Sequence, residues 1–234
     1  MTVHNLVRRE ATADNLSDAH APARTGLHPG AFWELTKPRL SALSVITALV
    51  GYLAAQPGLN LVALAGLLVG TSLAAGAAGT LNQYLERSLD ARMARTRTRP
   101  IPSGQVSPAQ ALAYGLVLAV AGLAVLWGTT NALAAALTGL TLATYLGLYT
   151  PLKTRSPWCT LVGAFPGALP PLIGWAAATG GLSTLGWVLF GVLFAWQIPH
   201  FFALAWTYRG DYAAGGMPML TVVETSGNRA ARQA

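Results

Sequence analysis

Residues 81–104 read LNQYLERSLDARMARTRTRPIPSG, and the stretch from Glu86 to Arg99 gathers two acids and five arginines. From Leu40 to Leu85 the chain has no charged side chain at all. A charge block set directly against so long an apolar run marks the edge of a membrane, because ionised groups are costly in hydrocarbon and collect where it ends.

The rest of the chain repeats that pattern. Of its 234 residues 53% are hydrophobic and only 10% charged, against roughly 25% charged in soluble domains. Six apolar segments, about 40–56, 61–81, 109–128, 131–149, 159–178 and 182–206, each approach the ~20 residues that cross a bilayer as a helix. They are apolar on every side, whereas helices of a soluble bundle keep a polar face. The expected fold is an all-α, polytopic transmembrane helical bundle. Residues 1–30 mix both signs of charge with Pro and Gly and lack the apolar core of a signal peptide. They are expected to form a flexible tail, with residues 31–234 as the membrane domain.

Charge placement sets the topology. Lys, Arg, Asp and Glu occur only in the N-terminal region, in the loops 82–108 and 149–157, and beyond residue 206; the connections 56–60, 128–131 and 178–183 carry none. Positive charge stays on the cytoplasmic side, so an integral, multi-pass protein with a cytoplasmic N-terminus is expected. The net charge of +7 then reflects loops at one leaflet, too short to present a nucleic-acid surface. Cys159 is the only cysteine, which excludes an intrachain disulfide and any CxxC motif. Pro166, Pro170, Pro171 and Pro199 interrupt the last two segments, and broken helices are tolerated where they line a cavity. Both segments are therefore expected to border one.

Asn82, Glu86 and Asp90 are spaced four apart, so a second span continuing beyond its apolar part places them on one helix face. Two carboxylates and an amide oxygen suit Mg²⁺, which takes one or two carboxylates and leaves its other positions to water and phosphate. The competing reading is a solvated face of ion pairs to Arg87, Arg92 or Arg95. Asp211 follows the sixth segment on the same side and is a further candidate ligand, with Arg209 or Lys153 as the alternative partner. Arg92, Arg95, Arg97 and Arg99 of the following loop, and Lys153 or Arg155 after the fourth segment, can meet phosphate through charge-assisted hydrogen bonds, or serve only as positive-inside anchors. His200 is an ionisable group within a span, which invites a functional role. No GxxxxGK[ST], GxSxG or HExxH motif is present, which removes nucleotide motors, serine hydrolases and zinc proteases.

In order along the chain, TKPR, NQYLERSLDARMARTRTRPIPSG, YTPLKTRSP, GAFPGALPPLIGW, WQIPHFFALAWTYRGDYAAGGMPML and TVVETSGNRAARQ resemble the protohaem IX farnesyltransferase (haem O synthase) family of UbiA-type intramembrane prenyltransferases. The resemblance runs from about Thr36 to Gln233. It implies transfer of farnesyl from farnesyl diphosphate to a haem B vinyl group, giving the hydroxyethylfarnesyl side chain of haem O for terminal oxidases. Mg²⁺ is the implied cofactor, and the bacterial inner membrane the implied location. Asn82, Glu86 and Asp90 match the first metal motif, and Asp211 with Tyr212 the second. Arg95, Arg99 and Lys153 fall to the diphosphate and His200 to the haem side. Haem A synthase or a terminal-oxidase assembly are the implied contacts.

Several positions depart from the family. Ser88 and Gly210 stand where many relatives have acids, Gly215 where a second carboxylate is usual, and Cys159 where Asn is common. The family also continues past the NRAARQ block into further spans. The chain is accordingly expected to be truncated at its C-terminus, and alone to be unstable or inactive. The alternatives are a quinone-pathway prenyltransferase with an aromatic acceptor, a transporter, and a non-catalytic haem-binding membrane protein.

Overall fold

A computed structural model describes residues 29–223 except 56, 57, 59 and 219. The expected tail lies outside the described residues as far as residue 28, as does the closing stretch 224–234. Pro29 and Gly30, placed in the tail from sequence, instead open a short helix, α1, Pro29–Leu35. There follow α2 (Pro38–Ala54), α3 (Leu61–Asp90), α4 (Pro108–Thr129) and α5 (Ala132–Thr144). A π-helical turn, Tyr145–Tyr149, and one further turn, Thr150–Leu152, prolong α5. After them come α6 (Cys159–Ala168), α7 (Pro170–Thr179), α8 (Thr184–Thr207), α9 (Arg209–Ala214) and α10 (Leu220–Val223). Among the described residues all regular structure is helical.

The residues between the apolar runs fix where helices begin. Asn60, Ser107, Asn131 and Ser183 each accept a hydrogen bond from a backbone N–H of the first turn of α3, α4, α5 and α8, satisfying donors that have no partner inside the helix. Pro38, Pro108 and Pro170 stand at N1 of α2, α4 and α7, where a missing N–H costs nothing.

Five segments are long and apolar enough to cross a membrane: Leu61–Asp90, Pro108–Thr129, Ala132–Leu152, Cys159–Thr179 and Thr184–Thr207. In place of the first expected span is α2, apolar but 17 residues long, a rise of about 25 Å. Large apolar side chains point outward, among them Ile46 and Val50 on α2, Val117 and Trp127 on α4, and Val192 and Trp196 on α8. Smaller residues fill the interior, including Ala48, Ala74, Ala77, Ala134, Ala164 and Ala176. That inversion suits lipid, where small residues let helix backbones approach. The closest approach is between α2 and α7: a Cβ at Gly51 would fall on the Pro171 carbonyl, and one at Gly174 on the Ala48 carbonyl.

The prolines act unequally. The span Cys159–Thr179 breaks at Leu169, between α6 and α7, because Pro170 and Pro171 follow at once and cannot donate backward. Pro199 lies within an unbroken α8. Only the broken span lines the cavity described below, so the expectation that both would line it fails for α8, whose helix stays continuous.

Candidate active site

Helix α3 runs on past its apolar part to Asp90, which puts Asn82, Glu86 and Asp90 on one face. All three are buried. The Lys153 Nζ donates to Glu86 Oε1 at 2.8 Å, and Arg99 reaches both oxygens of Asp90 at 2.8 and 2.7 Å. Asn82 Nδ2 donates to Thr150 Oγ1 at 3.2 Å. The acids are thus not part of a solvated face. Arg87 turns back over the Tyr84 ring, and Arg92 and Arg97 are exposed.

Lys153 is delivered by the irregular end of α5. Pro151 cannot donate an N–H, and the helix widens into the π turn just before it, a distortion found frequently at functional sites. Thr150 Oγ1 donates to Tyr145 O at 2.9 Å, fastening that turn. Burial alone would lower the Lys153 pKa, but Tyr149 and Glu86 facing it hold it above the ordinary lysine value.

Lys37 joins the site although the sequence reading gave it no role. Its Nζ donates to Asn82 Oδ1 at 3.3 Å, and among the described residues it is the one non-glycine with a positive φ, 49°. Such left-handed backbone costs about 1–2 kcal/mol and persists where the surroundings enforce it. Here the enforcement is visible. Gln83 Nε2 donates to Leu35 O at 2.8 Å, and Ser41 Oγ donates to Thr36 O at 2.7 Å. A Cβ at Gly79 would crowd the carbonyls of Leu35 and Thr36 at 3.2 Å, so the glycine lets this linker lie against α3. Burial pushes the Lys37 ammonium down to about 7, and Arg99 and Lys153 push the same way. A lysine so placed is ready to meet an anion. Its sequence signal was the TKPR block, in which a cation precedes the proline that opens an apolar helix.

The other expected residues lie further out. Arg95 Nε stands 3.9 Å from Asp211 Oδ2 and its guanidinium covers the Tyr208 ring, which makes this pair the rim of the site. Tyr212 packs on an apolar cluster of Met93, Cys159, Ala205 and Met217. His200 is exposed on α8, stacks on Trp196, and borders neither cavity described here.

An apolar cavity of about 220 Å³ leads away from the charged cluster. Lys37 and Tyr145 border it at that end, and its walls include Ala75, Thr138, Pro166, Gly167 and Ile173 from α3, α5, α6 and α7. A second hollow, of about 410 Å³, opens between α1, α2 and the loop carrying Arg99. Lys37 lines both. Among the described residues no three of His, Cys, Asp and Glu gather as a metal site. The oxygens of Asn82, Glu86 and Asp90 nonetheless fit Mg²⁺, which needs only one or two carboxylates when phosphate and water complete it.

The UbiA prenyltransferase family profile matches residues 44–234. A protein of Opitutus terrae called "Protoheme IX farnesyltransferase" is 55% identical over 200 residues, covering 86% of this chain and 68% of its own length. One of the same name from Solibacter usitatus is 46% identical over 210 residues, covering 86% and 72%. Among solved structures, a UbiA homologue from Aeropyrum pernix K1 superposes with a TM-score of 0.69 at 21% identity, covering 80% of this chain and 70% of that one. A digeranylgeranylglyceryl phosphate synthase superposes with a TM-score of 0.71 at 15% identity, covering 86% and 70%. Both show the same helical fold.

Proposed function

Because this chain belongs to the UbiA prenyltransferase family, we infer that it transfers a farnesyl group from farnesyl diphosphate to a vinyl group of haem B, forming the hydroxyethylfarnesyl side chain of haem O. The acceptor is inferred from the name shared by relatives 55% and 46% identical to it. The observation that carries the chemistry is the junction at Lys37, where an apolar cavity meets a buried cluster of carboxylates and cations. An isoprenoid diphosphate is one molecule with those two halves.

The cavity takes the hydrocarbon tail, and its apolar walls exclude water from the allylic cation. Asn82, Glu86 and Asp90, with Asp211 at the rim, would hold Mg²⁺, whose chemistry when bound is to neutralise charge on the leaving diphosphate. Lys37, Lys153 and Arg99, with Arg95 at the rim, meet the diphosphate oxygens as the C–O bond breaks and negative charge builds there. Lys153 and Arg99 now lie on Glu86 and Asp90. An arriving diphosphate offers both cations a second anion and frees carboxylate oxygen for the metal. The charged end faces the cytoplasm of a bacterial cell, by the placement of positive charge.

Diphosphate release from farnesyl diphosphate, followed in membranes containing the chain and Mg²⁺, tests this function. Release that requires haem B is expected. Release driven equally by an aromatic quinone precursor would assign the chain to the other acceptor class.

Two substitutions test the two halves of the site. Lys37→Gln removes a charge-assisted contact worth about 1.5–3 kcal/mol, so the KM for farnesyl diphosphate should rise about 10- to 100-fold. Titration of initial rates measures it. Ala75→Phe fills the tail cavity from α3. It should lower use of farnesyl diphosphate at least about tenfold while sparing the shorter geranyl diphosphate, since overpacking excludes what no longer fits. A competition assay with both donors reads the ratio.

A further inference from the structure

The hollow of about 410 Å³ between α1, α2 and the Arg99 loop is lined by Trp33, Glu34, Lys37, Arg39, Gln83 and Arg99, among others. Two of its three cations are engaged. Arg99 holds Asp90 and Lys37 donates to Asn82. Arg39, in the first turn of α2, is exposed and makes no ion pair or side-chain hydrogen bond with any other described residue. Arg39 and the exposed Trp33 ring mark the mouth of the hollow, and the buried Gln83 its floor. Arg92, Arg97 and Arg155 are exposed too, but none of them lines either cavity.

The hollow adjoins the tail cavity at Lys37 and Leu40, which border both. A farnesyl group in the tail cavity, with its diphosphate on the cations, brings its reacting carbon to that junction. The acceptor must then arrive from the other side. An acid cannot enter the apolar tail cavity without losing its hydrogen bonds, whereas the hollow offers it Arg39. Haem B carries its two vinyl groups on one half of the porphyrin and its two propionates on the other. A vinyl group at Lys37 therefore directs the propionates outward to the mouth, where an arginine matches a carboxylate with two parallel hydrogen bonds.

We propose that this hollow is the acceptor site: the vinyl edge of haem B enters toward Lys37, a propionate rests on Arg39, and the Trp33 ring covers part of the porphyrin. The proposal rests on the farnesyl-to-haem reaction inferred above. A porphyrin is larger than the hollow, so it enters edge first and leaves much of the ring at the membrane surface. There Trp33 supplies a broad apolar face for a planar ligand. Glu34, the one acid of the lining, is exposed as well, where solvent and salt screen its repulsion of a carboxylate. As plain interfacial anchors, Trp33 and Arg39 would meet lipid headgroups and give no preference among haems. As an acceptor site they make the propionate charge part of what the enzyme selects.

The test compares the unsubstituted chain with Arg39→Gln and Arg39→Lys. Membranes containing each are given farnesyl diphosphate and Mg²⁺ with either haem B or its dimethyl ester, in which both propionates are uncharged, and initial rates of farnesylated haem formation are measured. Arg39→Gln should raise the KM for haem B about tenfold, the low end for a charge-assisted contact because this one is exposed. Arg39→Lys should return most of it. The KM for farnesyl diphosphate should stay within about twofold in both. The ester should show the raised KM with the unsubstituted chain and gain nothing further from Arg39→Gln, since the pair is already broken. Equal KM values for haem B and its ester with the unsubstituted chain overturn the proposal, and that comparison needs no substitution. An Arg39→Gln chain that still favours haem B over the ester to the same degree also overturns it, as does a matching rise in the KM for farnesyl diphosphate, which would place Arg39 on the diphosphate. No farnesylated haem from the unsubstituted chain overturns the reaction itself, and the proposal with it.

Discussion

Replacing Glu86 with alanine is expected to lower farnesyl transfer by about 10²- to 10³-fold, the usual effect of removing one group that stabilises developing charge. Stability should fall as well. Lys153 lies 2.8 Å from Glu86, and both side chains are largely buried. Deleting one member leaves the other charge uncompensated, at a cost of about 3–5 kcal/mol. The two effects separate in a double variant. Glu86→Ala combined with Lys153→Met removes the stranded cation and should regain most of the lost thermal stability while remaining inactive, because neither the carboxylate nor the cation proposed to meet the diphosphate is restored. Thermal unfolding in detergent and turnover, measured on the single and double variants, give the coupling directly. Recovery of activity in the double variant would show that Glu86 serves only to neutralise Lys153.

Gly174→Val should be the most damaging change away from the charged cluster. The α2–α7 crossing has no room for a side chain, because the nearest atoms to an added Cβ are the Ala48 carbonyl and the Tyr52 backbone nitrogen. Overpacking against flexible side chains costs about 1–3 kcal/mol, and here backbone must move, so the cost lies at or above that upper figure. Function should suffer with it. Leu40, Ser41 and Ser44 of α2 and Pro170 and Ile173 of α7 line the same cavity, so prising the helices apart widens the tail site. The expected outcome is a several-fold lower yield of folded protein and loss of turnover in what remains. Gly191→Val is the control. It lies in α8 with nothing within 4 Å of an added Cβ, and should leave yield unchanged.

The membrane bundle was legible because hydropathy and charge placement act over whole segments, and both pointed to one arrangement. The face of α3 was legible for a local reason: a spacing of four needs only that the helix continue, and it does. The identity of the ion-pair partners was not. Glu86 pairs with Lys153 from 67 residues away, whereas sequence proximity pointed to Arg87, Arg92 or Arg95; pairing across helices depends on packing that no local pattern encodes. Lys37 was missed for the same reason, since its value comes from a strained linker held against α3 by Gln83 and Gly79 and tied to α2 by Ser41. His200 shows the converse. A histidine within an apolar span looks committed to chemistry, yet here it stands on the outer side of α8 against Trp196, away from the Lys37 cavity.

The central claim is that this bundle joins farnesyl to haem at the Lys37 junction. Mass spectrometry of haem extracted from membranes containing the chain, after incubation with haem B, farnesyl diphosphate and Mg²⁺, tests it most directly. The account predicts a haem heavier by one farnesyl group and one hydroxyl group, present with the unsubstituted chain and absent with Glu86→Ala and Asp90→Ala. Haem B recovered unmodified from membranes in which the chain is folded and inserted would contradict it.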